Sequence, residues 1–234
     1  MSANRIRTIL REYADADIAE HSRRFFKSGR GEYAEGDRFL GIRVPVLRSL
    51  VRQNRDLPFK SATALLSSRY HEERLLALLW LVDRYRRSDQ EEQAAIYRFY
   101  LDSTRYINNW DLVDSSADRI VGAWLENRAK QPIYDLAGSG DLWRRRIAII
   151  STFWLIRRNR YSVTLRVSRM LLNDAEDLIH KATGWMLREI GKRDIRVETE
   201  FLAAHYKKMP RTMLRYAIEK FPARERKRYL AGLV

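Results

Sequence analysis

At 234 residues the chain can bury a substantial core, and its 45% hydrophobic content with six tryptophans argues against disorder. It has no cysteine, which excludes disulfides, thiolate zinc sites and cysteine nucleophiles; no two of its four histidines stand four residues apart, so neither a metal nor a cofactor is expected. Basic residues outnumber acidic ones 45 to 30, a net charge of +15 that is unevenly spread: residues 1–117 hold 20 basic and 17 acidic groups, residues 118–234 hold 25 and 13. Such a surplus favours a polyanionic partner, of which the nucleic-acid backbone is the commonest. A GC-rich genome would explain the ratio of 36 Arg to 9 Lys better than it explains the net excess.

In chain order, the opening MSANRIRTILREYADAD is amphipathic and mixed in charge, without the apolar run of a secretory signal. No later run approaches the roughly 18 apolar residues of a membrane span, so a soluble cytoplasmic protein with no membrane partner is expected. Phe25 and Phe26 precede a glycine-containing connection, SGRGEYAEGDR (28–38), and then FLGIRVPVLRSL (39–50). Helical periodicity dominates from there: ERLLALLWLVDRY (73–85), WRRRIAIISTFWLIRR (143–158) and HKATGWMLREIGKR (180–193) repeat apolar residues at steps of three and four. YINNWDLVDSSADRIVGAWL (106–125) also scans as a helix, but carries Trp110 and Asp114 one turn apart. Gly and Pro fall between these runs, at 57–59, 131–141 and 209–212, and alternating strand patterns are missing. The expected class is all-α.

Laid over one another, the helices containing Arg74, Trp110, Arg146, Lys181 and Arg215 recur at intervals of about 35 residues, the period of stacked helix pairs in an α-solenoid. A solenoid curves, and its concave face would present equivalent positions in a row. The register therefore predicts Trp110, Arg146 and Lys181 in one row, with Asp114 and Trp185 a turn further on the same face. Taken singly, each residue has a plainer reading. Trp110 could be core, Asp114 a surface charge, the Arg144–Arg145–Arg146 triplet a solvated patch, and Trp185 a large side chain accommodated by Gly184. Together they make a site suited to a developing positive charge beside a phosphodiester: tryptophan faces attract cations, a carboxylate opposes positive charge, and an arginine holds phosphate. Glycosidic cleavage passes through an oxocarbenium-like state of this kind, and a base that leaves neutral from a cationic nucleotide needs no general acid.

At these residues the sequence resembles the AlkD-like DNA glycosylases of alkylation repair. The resemblance runs from FLGIRVPVLRSL through NNWDLVDS (108–115) and WRRRIAI (143–149) to HKATGWMLRE (180–189). It implies a single HEAT-like repeat domain over residues 1–234, with a basic concave groove for duplex DNA. The implied activity is release of cationic N3- and N7-alkylpurines without base flipping, by a monomer. Asp114 would be the catalytic carboxylate that stabilises the sugar cation and positions water. Trp110 and Trp185 would pack on the lesion-bearing deoxyribose, and Arg146 would support the backbone and Asp114. Phe25 or Phe26 approximately matches an aromatic that lines the family's groove. Arg144 and Arg145 join the basic strip, and Lys181, which the register places near it, is the one lysine with a conceivable Schiff-base role; a monofunctional enzyme is expected. Asp111, about 60° from Asp114 on an ideal helix, is assigned to structure or hydrogen bonding. The basic 222–233 segment reads as a phosphate-contacting or a solvated helix. Two other readings remain: a non-catalytic protein of the same architecture that binds distorted or branched DNA, and a scaffold for an acidic protein.

Overall fold

The computed structural model describes residues 2–234. Among them the only strand-like pairing is an isolated bridge between Arg38 and Tyr70, so the protein is all-α, as its periodicity predicts. The chain divides into two compact units, residues 1–116 and 117–234.

The first unit contains α1 (Ala3–Glu12), α2 (Ala16–Phe25), α3 (Val44–Gln53), α4 (Phe59–Leu66), α5 (His71–Arg87), α6 (Gln90–Asp102) and α7 (Trp110–Asp114). Its centre is α5, whose buried residues include the apolar run Leu75–Leu81 and, at its start, His71, Glu72, Glu73 and Arg74. A helix buried nearly all round needs partners for its polar groups, because an unpaired buried charge is far costlier than a paired one. Glu72 finds them in the FLGI segment, where its carboxylate accepts from the backbone N–H of Leu40 and Gly41 at 2.9 and 2.8 Å. Gly41 has φ +79°, and a Cβ there would overlap the carbonyl oxygen of Asp15, so the motif requires glycine on two counts. Glu73 pairs with Arg7 of α1 at 3.0 Å.

The second unit contains α8 (Gln131–Ala137), α9 (Leu142–Ser151), α10 (Phe153–Ile156), α11 (Ser162–Met170), α12 (Asp177–Gly191), α13 (Ile195–His205), α14 (Arg211–Ala217) and α15 (Ala223–Ala231). α12 packs against α9, α13 and α14. Gly184 makes the last of these contacts possible, since a Cβ would overlap the Met213 carbonyl and crowd Tyr216. The small residue therefore admits a neighbouring helix rather than making room for Trp185. Leu187, Phe201, Leu202, Met213 and Tyr229 form the core beneath.

Two expected helices are interrupted. Residues 106–125 form the five-residue α7, then a wide turn over Asp118–Gly122 with i→i+5 spacing. Ser116, which binds the Leu112 carbonyl at 2.6 Å and the Tyr100 hydroxyl at 2.9 Å, competes with the backbone ladder where α7 ends. The run 143–158 breaks between α9 and α10, where Ser151 and Thr152 bond back to the carbonyls of Ile147 and Ile149 at 2.6 and 2.7 Å. Gly122 lies against the Ser151 carbonyl at that break.

Candidate active site

In the first unit, α7 begins where the Asn109 side chain accepts from the Trp110 N–H at 2.8 Å. Trp110 and Asp114 are both half-buried and, four residues apart, share a side of the turn. Trp110 is held by rings from the end of α2. Phe26 stacks on it at 5.4 Å and 29°, and Phe25 meets it edge-on at 5.8 Å and 71°. Phe25 is itself exposed, and the structure brings both Phe25 and Phe26 against Trp110.

Asp111 turns to His71. Its Oδ2 lies 2.8 Å from Nε2 of His71, which is 2% exposed. On the opposite side of that imidazole, Asp37 stands 3.6 Å from Nδ1, and it also accepts from Arg74 at 2.6 Å and from Asn108 at 3.3 Å. Phe26 at 4.8 Å and Phe39 at 5.1 Å, themselves stacked 5.5 Å apart, pack against the ring at angles below 30°. Burial alone would lower the His71 pKa, but the Asp111 carboxylate, helped by Asp37, outweighs it and raises the value to about 9. Burial would likewise raise Asp37, yet His71 and Arg74 hold it below its ordinary value. Assigning Asp111 to hydrogen bonding agrees with this geometry.

In the second unit, Asp141 caps α9 by accepting from the Arg144 N–H at 2.8 Å. The three arginines that follow diverge. Arg144 is exposed; Arg145 is drawn to Asp174 at 2.6 Å; Arg146 is 5% exposed and donates to the Leu178 carbonyl at 2.6 Å, tying α9 to α12. The triplet is thus not one solvated patch. On α12, Lys181 pairs with Asp177 at 2.7 Å, and half-buried Trp185 donates to Glu189 at 3.2 Å and lies 5.8 Å from Phe153. Glu189 also holds Lys192 and Arg193, whose positive charges keep its carboxyl below the usual range against the opposing effect of burial. Arginines cover several rings here: Arg157 lies 4.5 Å from Phe153, Arg158 3.9 Å from Trp154 and Arg128 3.6 Å from Trp124. The basic residues of α15 from Arg224 to Arg228 are exposed, and Tyr229 anchors that helix to the core.

The family model described as DNA alkylation repair enzyme matches residues 6–221, most of the chain. The chain belongs to that family. In this DNA alkylation repair protein the match reaches into both units and takes in every candidate residue above except the basic ones of α15. A solved structure titled as a predicted DNA alkylation repair enzyme from Enterococcus faecalis shares the fold, with a TM-score of 0.68 at 17% identity, over 90% of this chain and 97% of that one. No curated protein matches significantly. Among the described residues no group of three or more His, Asp or Glu could hold a metal ion, and no helix is long and apolar enough to cross a membrane.

Sequence reasoning passed over the roles of Asp37, His71 and Arg74. The available signal was the polar run HEER at the head of an otherwise apolar helix, which announces buried charges in need of partners.

Proposed function

We propose that the protein is a monofunctional DNA glycosylase that hydrolyses the N-glycosidic bond of cationic alkylated purines, of the N3-methyladenine and N7-methylguanine type, in duplex DNA. The observation that carries the reading is the Trp110–Asp114 pair: an aromatic face and a carboxylate one turn apart, both half-buried, in a chain of the DNA alkylation repair enzyme family. A half-buried carboxylate opposes developing positive charge more effectively than one in bulk water, because less solvent screens it. As the C–N bond lengthens, positive charge moves onto the deoxyribose. Asp114 stabilises it and orients the water that adds to the anomeric carbon. The base departs neutral and needs no general acid, so one carboxylate suffices, and the base need not be flipped into a pocket.

In this reading Trp110 packs on the lesion-bearing sugar, with Phe25 beside it. In the second unit, Trp185 and Arg146, whose guanidinium is already fixed by the Leu178 carbonyl, are the residues assigned to DNA contact. Exposed Arg144 meets phosphate. Arg145 and Lys181, paired with Asp174 and Asp177, shape the surface more than they bind through free charge. The helix pairs α8/α9, α11/α12 and α13/α14 fit successive HEAT-like repeats, since Arg146, Lys181 and Arg215 fall in the second helix of each.

The test compares defined duplexes under single turnover. Release of N3-methyladenine and N7-methylguanine, with no release of a neutral lesion such as uracil, is expected. Tight binding of alkylated duplexes with no base released would overturn the reading in favour of a non-catalytic DNA-binding protein.

A further inference from the structure

The chemistry proposed for Trp110 and Asp114 leaves unused a largely buried set of charges in the first unit: Asp37, His71, Arg74 and Asp111, with Asn108. Burying charges is costly, and a core of this unit's size could have used apolar residues there. The set converges on α7. That helix has five residues, too few for its own hydrogen bonds to hold it, so its place must be fixed from outside. Beside the packing of buried Leu112 and Val113 and the Phe25 edge on Trp110, the outside contacts include the Asp111 carboxylate on His71 and the Trp110 ring on Phe26, and Phe26 in turn stacks on the same imidazole.

We propose that His71 is a positioning residue for this turn: its ring grips Asp111 at one edge and, through Phe26, braces Trp110, so that Trp110 and Asp114 are presented in one fixed orientation. The inference rests on the reading of Trp110 and Asp114 as the working pair. The groups facing His71 are Asp111 from α7, Asp37 from the loop before the FLGI segment, Arg74 from its own helix, and the apolar faces of Phe26 and Phe39. The two carboxylates favour the imidazolium and outweigh both burial and the opposing Arg74 guanidinium. The grip is therefore charge-assisted at neutral pH and weakens to that of a neutral imidazole as pH rises through about 9.

The experiment uses the whole chain with tryptophan labelled at the indole nitrogen and histidine labelled at its ring, followed by NMR from pH 6 to about 10. Trp110→Phe identifies the Trp110 indole signal. The Trp110 signal is expected to move with the His71 titration midpoint, while the other five indoles do not follow it. Asp111→Asn is expected to lower that midpoint by more than about one pH unit and to slow N7-methylguanine release roughly tenfold or more, with duplex affinity changed by less than about twofold. His71→Gln, which keeps a hydrogen-bond donor for Asp111 but no charge, is expected to retain part of the activity and to lose the alkaline fall in rate. A Trp110 signal indifferent to the His71 titration overturns the proposal, as do unchanged turnover and pH profile in His71→Gln. Wild-type protein that releases no base at any pH overturns the glycosylase reading instead. The NMR titration then decides the positioning role by itself, and it does so even where Asp111→Asn or His71→Gln fails to fold.

Discussion

The two units handle charge in opposite ways. Residues 1–116 are nearly balanced, and their distinctive charges are buried and paired around His71; residues 117–234 carry most of the net positive charge, with arginines lying over aromatic rings or standing exposed on α9 and α15. A buried, paired charge fixes geometry, because moving either partner exposes an unsatisfied one. An exposed cation adds affinity for phosphate without fixing anything, and salt weakens it. The contrast suggests a division of labour in which the first unit sets the catalytic orientation and the second supplies much of the attraction for DNA.

The comparison is broken most severely through the backbone. Gly41→Ala forces a side chain onto φ +79° and into the Asp15 carbonyl, so a loss of about 4 kcal/mol in urea unfolding is expected. Gly184→Ala drives α12 away from α14 and is expected to lose about 1–3 kcal/mol. Both changes act on packing, so neither should alter the salt dependence of duplex binding in protein that remains folded. Substitutions on α9 sharpen the charge argument. Arg145→Gln leaves Asp174 without its partner and should cost about 1–3 kcal/mol of stability with the salt slope unchanged. Arg144→Gln, at an exposed position, should cost less stability than Arg145→Gln and reduce the salt slope by about 1.

Glu198 tests the pairing rule from the other side. It is 2% exposed and lies against Gly191; burial, only partly offset by Arg188, raises its pKa to about 8. Between the ordinary value of 4.5 and about 8 the unfolded chain has released this proton while the folded chain keeps it, so stability falls as pH rises through that window. Glu198→Gln is expected to remove the decline, giving a variant more stable than the wild type at pH 8 and above. Parallel stability-against-pH curves for the two proteins would contradict this account of Glu198.

The all-α class and the helices bearing Arg74, Trp110, Arg146, Lys181 and Arg215 were legible because a period near 3.6 is written into contiguous residues. So was the separation of Asp111 from Asp114, which follows from helix geometry alone. The breaks in 106–125 and 143–158 were not, because they depend on Ser116, Ser151 and Thr152 bonding back to carbonyls, and serine or threonine serves helices elsewhere. The His71 network was not legible either: Asp37, His71 and Asp111 lie tens of residues apart, and their pairing leaves no periodic mark. Neither was the divergence of Arg144, Arg145 and Arg146, since consecutive helical residues point about 100° apart and their partners, Asp174 and Leu178, come from another segment.

The central claim is that Asp114 acts on the transition state and not on binding. Single-turnover release of N7-methylguanine from a defined duplex, measured beside duplex affinity for wild type and Asp114→Asn, tests it most directly. The account predicts that release falls by roughly 100-fold or more while affinity changes by less than about threefold; equal release by the two proteins, or a loss fully explained by weaker binding, would contradict it.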